Sequence, residues 1–379
     1  MKLSTFALSA LTLVLALTLA GCGKGDGDGV IKIGSVAPLT GPQNHIGKDN
    51  ENGARLAVDE INASGLKIGG KTVRLELIGE DDQAEPKTAT IVAQKLVDDG
   101  VVAVVGHLNS GTSIPASKIY FDAGIPQISP SATAVKYTTQ GHNTAYRVMA
   151  NDAQQGRVLG QFAVTRLGAK KIAIIDDRTA YGQGLADEVE KAVKAAGGTV
   201  VAREFTNDKA TDFTAILTSI KGKTPDLIFF GGMDPQGGPM ARQMQSLGLS
   251  ARLLGGDGLQ NGNFIKLAAT DAEGVMASSP GLPIDSMPGG AEFRKKFEAK
   301  FGPILIYAPY AYDAVHVLVT AMQRADSSEP AKILAQLPKT DLQGVTGPVK
   351  FDAKGDTSGG AVTLYEVRGG KWVVLETVK

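Results

Sequence analysis

The chain has 379 residues and a formal net charge of +0, with 43 % apolar and 21 % charged residues. Balanced charge excludes a nucleic-acid footprint, which needs a basic surface. Cys22 is the only cysteine, so a disulfide framework and thiolate metal sites are excluded as well.

Lys2 followed by an apolar stretch over 6–20 reads as an export signal, too short to span a bilayer. It ends in Leu19-Ala20-Gly21-Cys22, which resembles the bacterial lipobox. Residues 1–22 are therefore expected to be a lipoprotein signal with Cys22 lipidated, and 23–29 (GKGDGDG) a flexible tether. Two signals are needed for stable lipid anchoring. The expected location is the periplasm or cell surface, with the membrane reached through the lipid alone.

From Val30 the pattern alternates strand and helix. Strands are predicted over 30–38, 72–79, 101–105 and 125–128, with helices over 46–62, 85–98 and 114–123. Ala54, Ala57, Val58 and Ile61 share one face of the first helix. The pattern then restarts: helices over 153–167, 182–196, 213–220 and 239–247, and strands over 171–176, 199–205, 226–230 and 252–254. Further helices are predicted over 291–301, 309–322 and 330–337, and the chain ends in a hairpin turning at Gly369-Gly370. This order predicts an α/β fold with two doubly wound sheets. In such sheets ligands bind beyond the carboxyl ends of the strands. The loops there, 106–112 (GHLNSGT) and 129–133 (SPSAT), carry hydroxyls and backbone N–H groups but no Lys, no Arg and no acid. They suit a carboxylate held at a helix start.

Residues 65–72, GLKIGGKT, match the phosphate-loop pattern letter for letter. A phosphate loop needs a strand before it and a helix after it. Here the order is reversed, which predicts a helix-to-strand turn with Gly65 near a C-cap. His45, His107, His142 and His316 lack metal-ligand spacing, and no G-x-S-x-G elbow occurs. No cofactor and no metal are expected. Glu80-Asp81-Asp82 reads as capping and solvated acids, His107 as a packed loop residue. Asp257 differs: a single acid within Gly-Gly-Asp-Gly at a strand end is placed to pair with a cation. Asp176-Asp177 and Tyr181 occupy the matching edge of the second unit.

The segment VVGHLNSGTSIPASKIYFDAGIPQISPSAT resembles the branched-chain amino-acid-binding receptors of bacteria, the leucine/isoleucine/valine type. GARLAVDEINASG, YRVMANDAQQG, KIAIIDDRTAYGQGLA, DLIFFGGMDPQGG, GGDGLQN and GPVKFDAKGD extend the resemblance over nearly the whole chain. It implies two Rossmann-like lobes of the periplasmic binding protein type I fold, joined by a three-strand hinge: 30–150 plus 281–346, and 151–280 plus 347–379. It further implies that Ser110 bonds a ligand carboxylate, within a loop that also holds Leu108 and Asn109. Ser131 and Thr133, around Ala132, would hold the carboxylate and amino group. Tyr181 would cover the ligand and Asp257 pair with its ammonium. Departures fall on the side-chain pocket. The leucine-binding type has Glu at Asp257, tyrosines at Ile46 and Met233, a cysteine at Asn109 and a phenylalanine at Leu305. The implied role is receptor for an ABC importer, binding a branched-chain or otherwise apolar amino acid and docking on a permease with a separate ATPase. A sensory ligand-binding domain and a cleft hydrolase with His107 as base remain open from the residues alone.

Overall fold

A computed structural model describes residues 29–379. The signal, the lipobox cysteine Cys22 and the tether up to residue 28 lie outside the described residues. The first sheet contains β1 (Val30–Ala37), β2 (Arg74–Asp81), β3 (Ala103–Gly106), β4 (Gln127–Ser129) and β5 (Ala145–Arg147). All are parallel, in the order β2-β1-β3-β4-β5. Helices α1 (Asn44–Ser64), α2 (Pro86–Asp98) and α3 (Ser110–Asp122) connect them. Ala54, Ala57, Val58 and Ile61 of α1 are buried, as their spacing predicts.

The second sheet repeats this topology. β6 (Lys171–Asp176), β7 (Thr199–Phe205), β8 (Leu227–Gly231), β9 (Arg252–Gly255) and β10 (Met276–Pro280) run in the order β7-β6-β8-β9-β10. β11 (Val362–Arg368) and β12 (Lys371–Val378) add antiparallel beyond β10. Its helices are α4 (Asp152–Gln161), α5 (Ala180–Ala195), α6 (Thr214–Lys221), α7 (Asp234–Ser246) and α8 (Gly262–Ala268). In each sheet the strand order reverses between the first and third strands, β1/β3 and β6/β8. Crevices for ligands open at such switch points. The mixed α/β architecture is the periplasmic binding protein type I fold.

After β10 the chain returns to the first lobe. α9 (Gly290–Phe301), α10 (Ala308–Ala325) and α11 (Pro330–Gln336) follow, and α10 packs on α1. Ala311, Ala314, Val315 and Leu318 of α10 are fully buried, matching its nearly all-apolar sequence. Residues 347–357, expected with the second lobe, instead lie against the first. Arg147 N–H donates to Gly355 O at 2.9 Å, and the Tyr146 and Phe351 rings are 4.9 Å apart. A charged and glycine-rich stretch gives no period by which the sequence could have placed it.

The turn at 65–72 is as expected: Gly65 ends α1 at φ 77°, and Lys67–Ile68 pairs with Lys71–Thr72 as a small hairpin. It has no helix start to meet a phosphate. None of the described helices is long and apolar enough to cross a membrane.

Gly53 lets α1 and α10 approach, because a Cβ there would run into the Ala308 carbonyl. Gly53→Ala should lose about 1–3 kcal/mol through overpacking, read by urea denaturation. Gly262→Ala, where a methyl meets nothing within 4 Å, is the control and should stay within about 0.5 kcal/mol.

Candidate ligand-binding site

One wall is built at the end of β3. α3 begins at Ser110, four residues before the apolar period; the N–H groups of Thr112 and Ser113 turn back to Asn109 O, which leaves those of Ser110 and Gly111 outside the helix's own bonding. Ser110 Oγ accepts from Ala134 N–H at 3.1 Å, which leaves its own proton free to donate. The Ser131 hydroxyl is occupied: it donates to Leu108 O (3.1 Å) and accepts from Asn50 Nδ2 (3.2 Å). Ser129 Oγ bonds His107 O (2.8 Å) and receives Ala132 N–H (2.9 Å). Beneath them the fully buried Arg147 donates to Ala132 O and Ala134 O at 2.8 and 3.0 Å, and pairs with Asp356 at 2.6 Å. The two loops are thereby fixed to each other and to the hinge.

The other wall is built at the end of β9. Asp257 is 2 % exposed. Its Oδ1 accepts from Tyr181 Oη (2.9 Å) and Gln155 Nε2 (3.2 Å), and its Oδ2 from Tyr307 Oη (2.7 Å). Tyr181 Oη accepts in turn from Gly258 N–H at 2.9 Å. Burial raises the Asp257 pKa against these three bonds. Burial, followed by the Asp257 charge, holds both tyrosines well above the usual phenol range, so they stay donors. Among the described residues Asp257 has no cationic partner. Tyr307 belongs to the first lobe, and its bond therefore spans the crevice. His45–Asp234 (3.1 Å) and Lys209–Glu85 (2.7 Å) also join the two lobes.

Leu108, Asn109, Ser110, Ser131, Tyr181, Met233, Asp257 and Tyr307 line a pocket of about 220 Å³. Larger hollows of about 1090 and 1030 Å³ adjoin the hinge, but neither holds a buried, uncompensated charge. Four expected residues do not line the pocket. Ile46 is 1 % exposed and packs into the core. Leu305 gives only its backbone N–H, to Asp49 Oδ1. Ala132 and Thr133 sit behind Ser131. The Thr133 hydroxyl and both Asp152 oxygens are buried without a partner of ordinary geometry. Tyr307, Gln155 and Asp152 escaped the sequence reading. Tyr307 had a signal: it is the one hydroxyl in the apolar run ILIYAP.

The other sequence candidates are structural. His107 is fully buried between Asp82 (2.8 Å) and Tyr120 (3.1 Å), out of reach of any substrate. Glu80 pairs with Lys95, and Asp81 caps Leu39 and Thr40. No cluster of three or more metal-ligating side chains occurs among the described residues.

Asp152 carries a pH signature. Burial first, then repulsion from Asp257, pushes it up to about 8. The folded protein thus binds a proton that the unfolded chain has released above about pH 4, so stability falls as pH rises from about 4 to 8. Asp152→Asn should flatten that fall, by at most about 1.4 kcal/mol per pH unit. Melting temperatures of both proteins from pH 4 to 9 check this, and parallel curves contradict it.

A family model described as periplasmic binding protein matches residues 30–371. A Leu/Ile/Val-binding protein of Rhizobium johnstonii is 36 % identical over 348 residues, covering 91 % of this chain and 94 % of that protein. A leucine-, isoleucine-, valine-, threonine- and alanine-binding protein of Pseudomonas aeruginosa is 36 % identical over 337 residues, 89 % of each. Among solved structures, the leucine-binding protein LivK of Thermotoga maritima has a TM-score of 0.86 at 26 % identity, covering 92 % of this chain and 98 % of that one. LivJ of Streptococcus pneumoniae, solved in complex with isoleucine, has a TM-score of 0.82 at 31 % identity, covering 92 % and 99 %. A matched family model over nine-tenths of the sequence, a doubly repeated sheet topology and an interlobe pocket converge, and the chain belongs to the periplasmic binding protein family.

Proposed function

We propose that this protein is the extracytoplasmic receptor of an ABC importer and closes on an α-amino acid. One observation carries the reading: Asp257 is buried across the crevice from Ser110 and the start of α3 with no countercharge among the described residues. A buried carboxylate without a cation is costly, and an ammonium removes that cost. The opposite wall, with the Ser110 proton and the helix N-terminus, matches a carboxylate. A zwitterion fills both ends at once. The relatives' ligands, among them leucine, isoleucine and valine, are of this class.

Tyr181 and Tyr307 hold Asp257 oriented and stay protonated. Asp257 accepts the ammonium, and Ser110 donates to the carboxylate. Leu108, Asn109 and Met233 are left to meet the side chain. Closure follows from differential affinity: the open form exposes Asp257 to water, whereas the closed form needs the ammonium to replace that water. The closed receptor docks on a membrane permease driven by a separate ATPase. We further propose that lipid on Cys22 tethers it to the membrane. Cys22→Ala should then release the full-length protein into the soluble fraction.

Calorimetry against the common amino acids tests the reading. Asp257→Asn should weaken binding at least about 30-fold, since an unpaired buried charge costs about 2–5 kcal/mol. Tyr307→Phe removes one donor from that charge and should cost about 10-fold or more. Heat from no amino acid would sink the proposal.

A further inference from the structure

Once the head group is held, the pocket leaves three residues for the ligand's side chain. Leu108 and Met233 are apolar. Asn109 is the remaining polar one, because the Ser131 hydroxyl is taken up by Leu108 O and Asn50. Asn109 does not cap α3, although it stands at its N-cap position. Its Nδ2 donates instead to Gln43 Oε1 at 2.7 Å. That bond leaves Oδ1 shielded from solvent with no partner, on a residue lining the pocket.

An unmet buried acceptor is destabilising, and the ligand is what can meet it. Rotating the amide would exchange oxygen for nitrogen and still leave one Asn109 atom unpaired. A hydroxyl satisfies either arrangement, since it both donates and accepts. We propose that Asn109, braced by Gln43, selects a β-hydroxy α-amino acid of threonine size over its hydrocarbon isostere. The inference rests on the amino-acid reading of the pocket. Asn109 is the one polar lining residue left for the side chain, together with the apolar Leu108 and Met233, which favours a short side chain carrying a single hydroxyl. Sites built to hydrogen-bond a hydroxyl discriminate strongly against analogues lacking it, whereas apolar pockets barely distinguish the two.

The test is a matched pair, threonine against valine, by calorimetry on the protein without its signal and tether. Wild type should bind threonine at least about 10-fold more tightly. Asn109→Leu, with the same branching and number of side-chain heavy atoms, should invert the order to valine over threonine. Gln43→Met, which removes the brace from outside the pocket, should narrow the ratio, and it decides the matter if Asn109→Leu fails to fold. Valine equalling or exceeding threonine in the wild type overturns the proposal. So does asparagine exceeding threonine, or a ratio unmoved by either variant. These results would leave the amino-acid reading intact, whereas heat from no amino acid at all would remove that reading itself.

Discussion

Asp257 accepts three hydrogen bonds from neutral donors and meets no cation among the described residues, while water is almost fully excluded. Much of the molecule serves to keep that carboxylate addressed. Tyr307 reaches it from the other lobe only because its backbone is fixed. Asp49 of α1 accepts the N–H groups of Leu305, Ile306, Tyr307 and Ala308, between 2.9 and 3.2 Å. The same helix is pressed against Ala308 through Gly53. A buried acid thus anchors the start of α10 and sets the Tyr307 hydroxyl against Asp257. Burial raises the Asp49 pKa, and its backbone bonds oppose the rise. The anchor is therefore strongest as a carboxylate, accepting from all four donors.

The opposite wall depends on a second buried charge that is compensated. Arg147 binds the carbonyls beside Thr133, the Thr138 hydroxyl and Asp356. Asp356 also receives Asn151 Nδ2 at 3.1 Å, and Asn151 caps α4 through a capping box with Gln154. The ligand loop, the first crossing to the second lobe and the segment preceding the third crossing are therefore one network. Such an ion pair is weak as a source of stability, but loss of one partner strands a buried charge. Its effect here is geometric: the 129–133 loop and the segments that pass between the lobes share one guanidinium.

The alternation of strand and helix was legible from the period of apolar residues, and the resemblance supplied the two-lobe plan. The helix starts at the site were not legible. α3, α5 and α7 begin at Ser110, Ala180 and Asp234, two to five residues ahead of their predicted starts. Their first turns hold glycine, serine and tyrosine and lack an apolar face, because they face the crevice and not the core. A period-based reading assigns such turns to loops. Two of the four residues aligned to the specificity pocket failed for a related reason, while Asn109 and Met233 do line it. Ile46 and Leu305 are apolar, and local packing turned them inward, while the neighbouring Tyr307 carried its hydroxyl out to Asp257. Alignment locates a position along the chain, whereas the direction of a side chain follows from what lies behind it.

The repeated topology explains why neither lobe suffices. Both sheets reverse their strand order at the same place, so both present a loop and a helix start to the shared crevice. Two helix starts alone would favour anions from either side. The second lobe breaks that equivalence with Asp257, placed after β9 and reached by Tyr181 from the start of α5. The first lobe keeps the donors, Ser110 and the α3 N–H groups. An anion alone satisfies the first lobe and is repelled by Asp257. A cation alone satisfies Asp257 and leaves the Ser110 proton and the α3 start unmet. Only a molecule with both charges a few atoms apart lowers the free energy of the closed form at both ends. In the proposed function, the coupling between ligand charge and hinge closure rests on one acid added to an otherwise duplicated pair of anion-favouring edges.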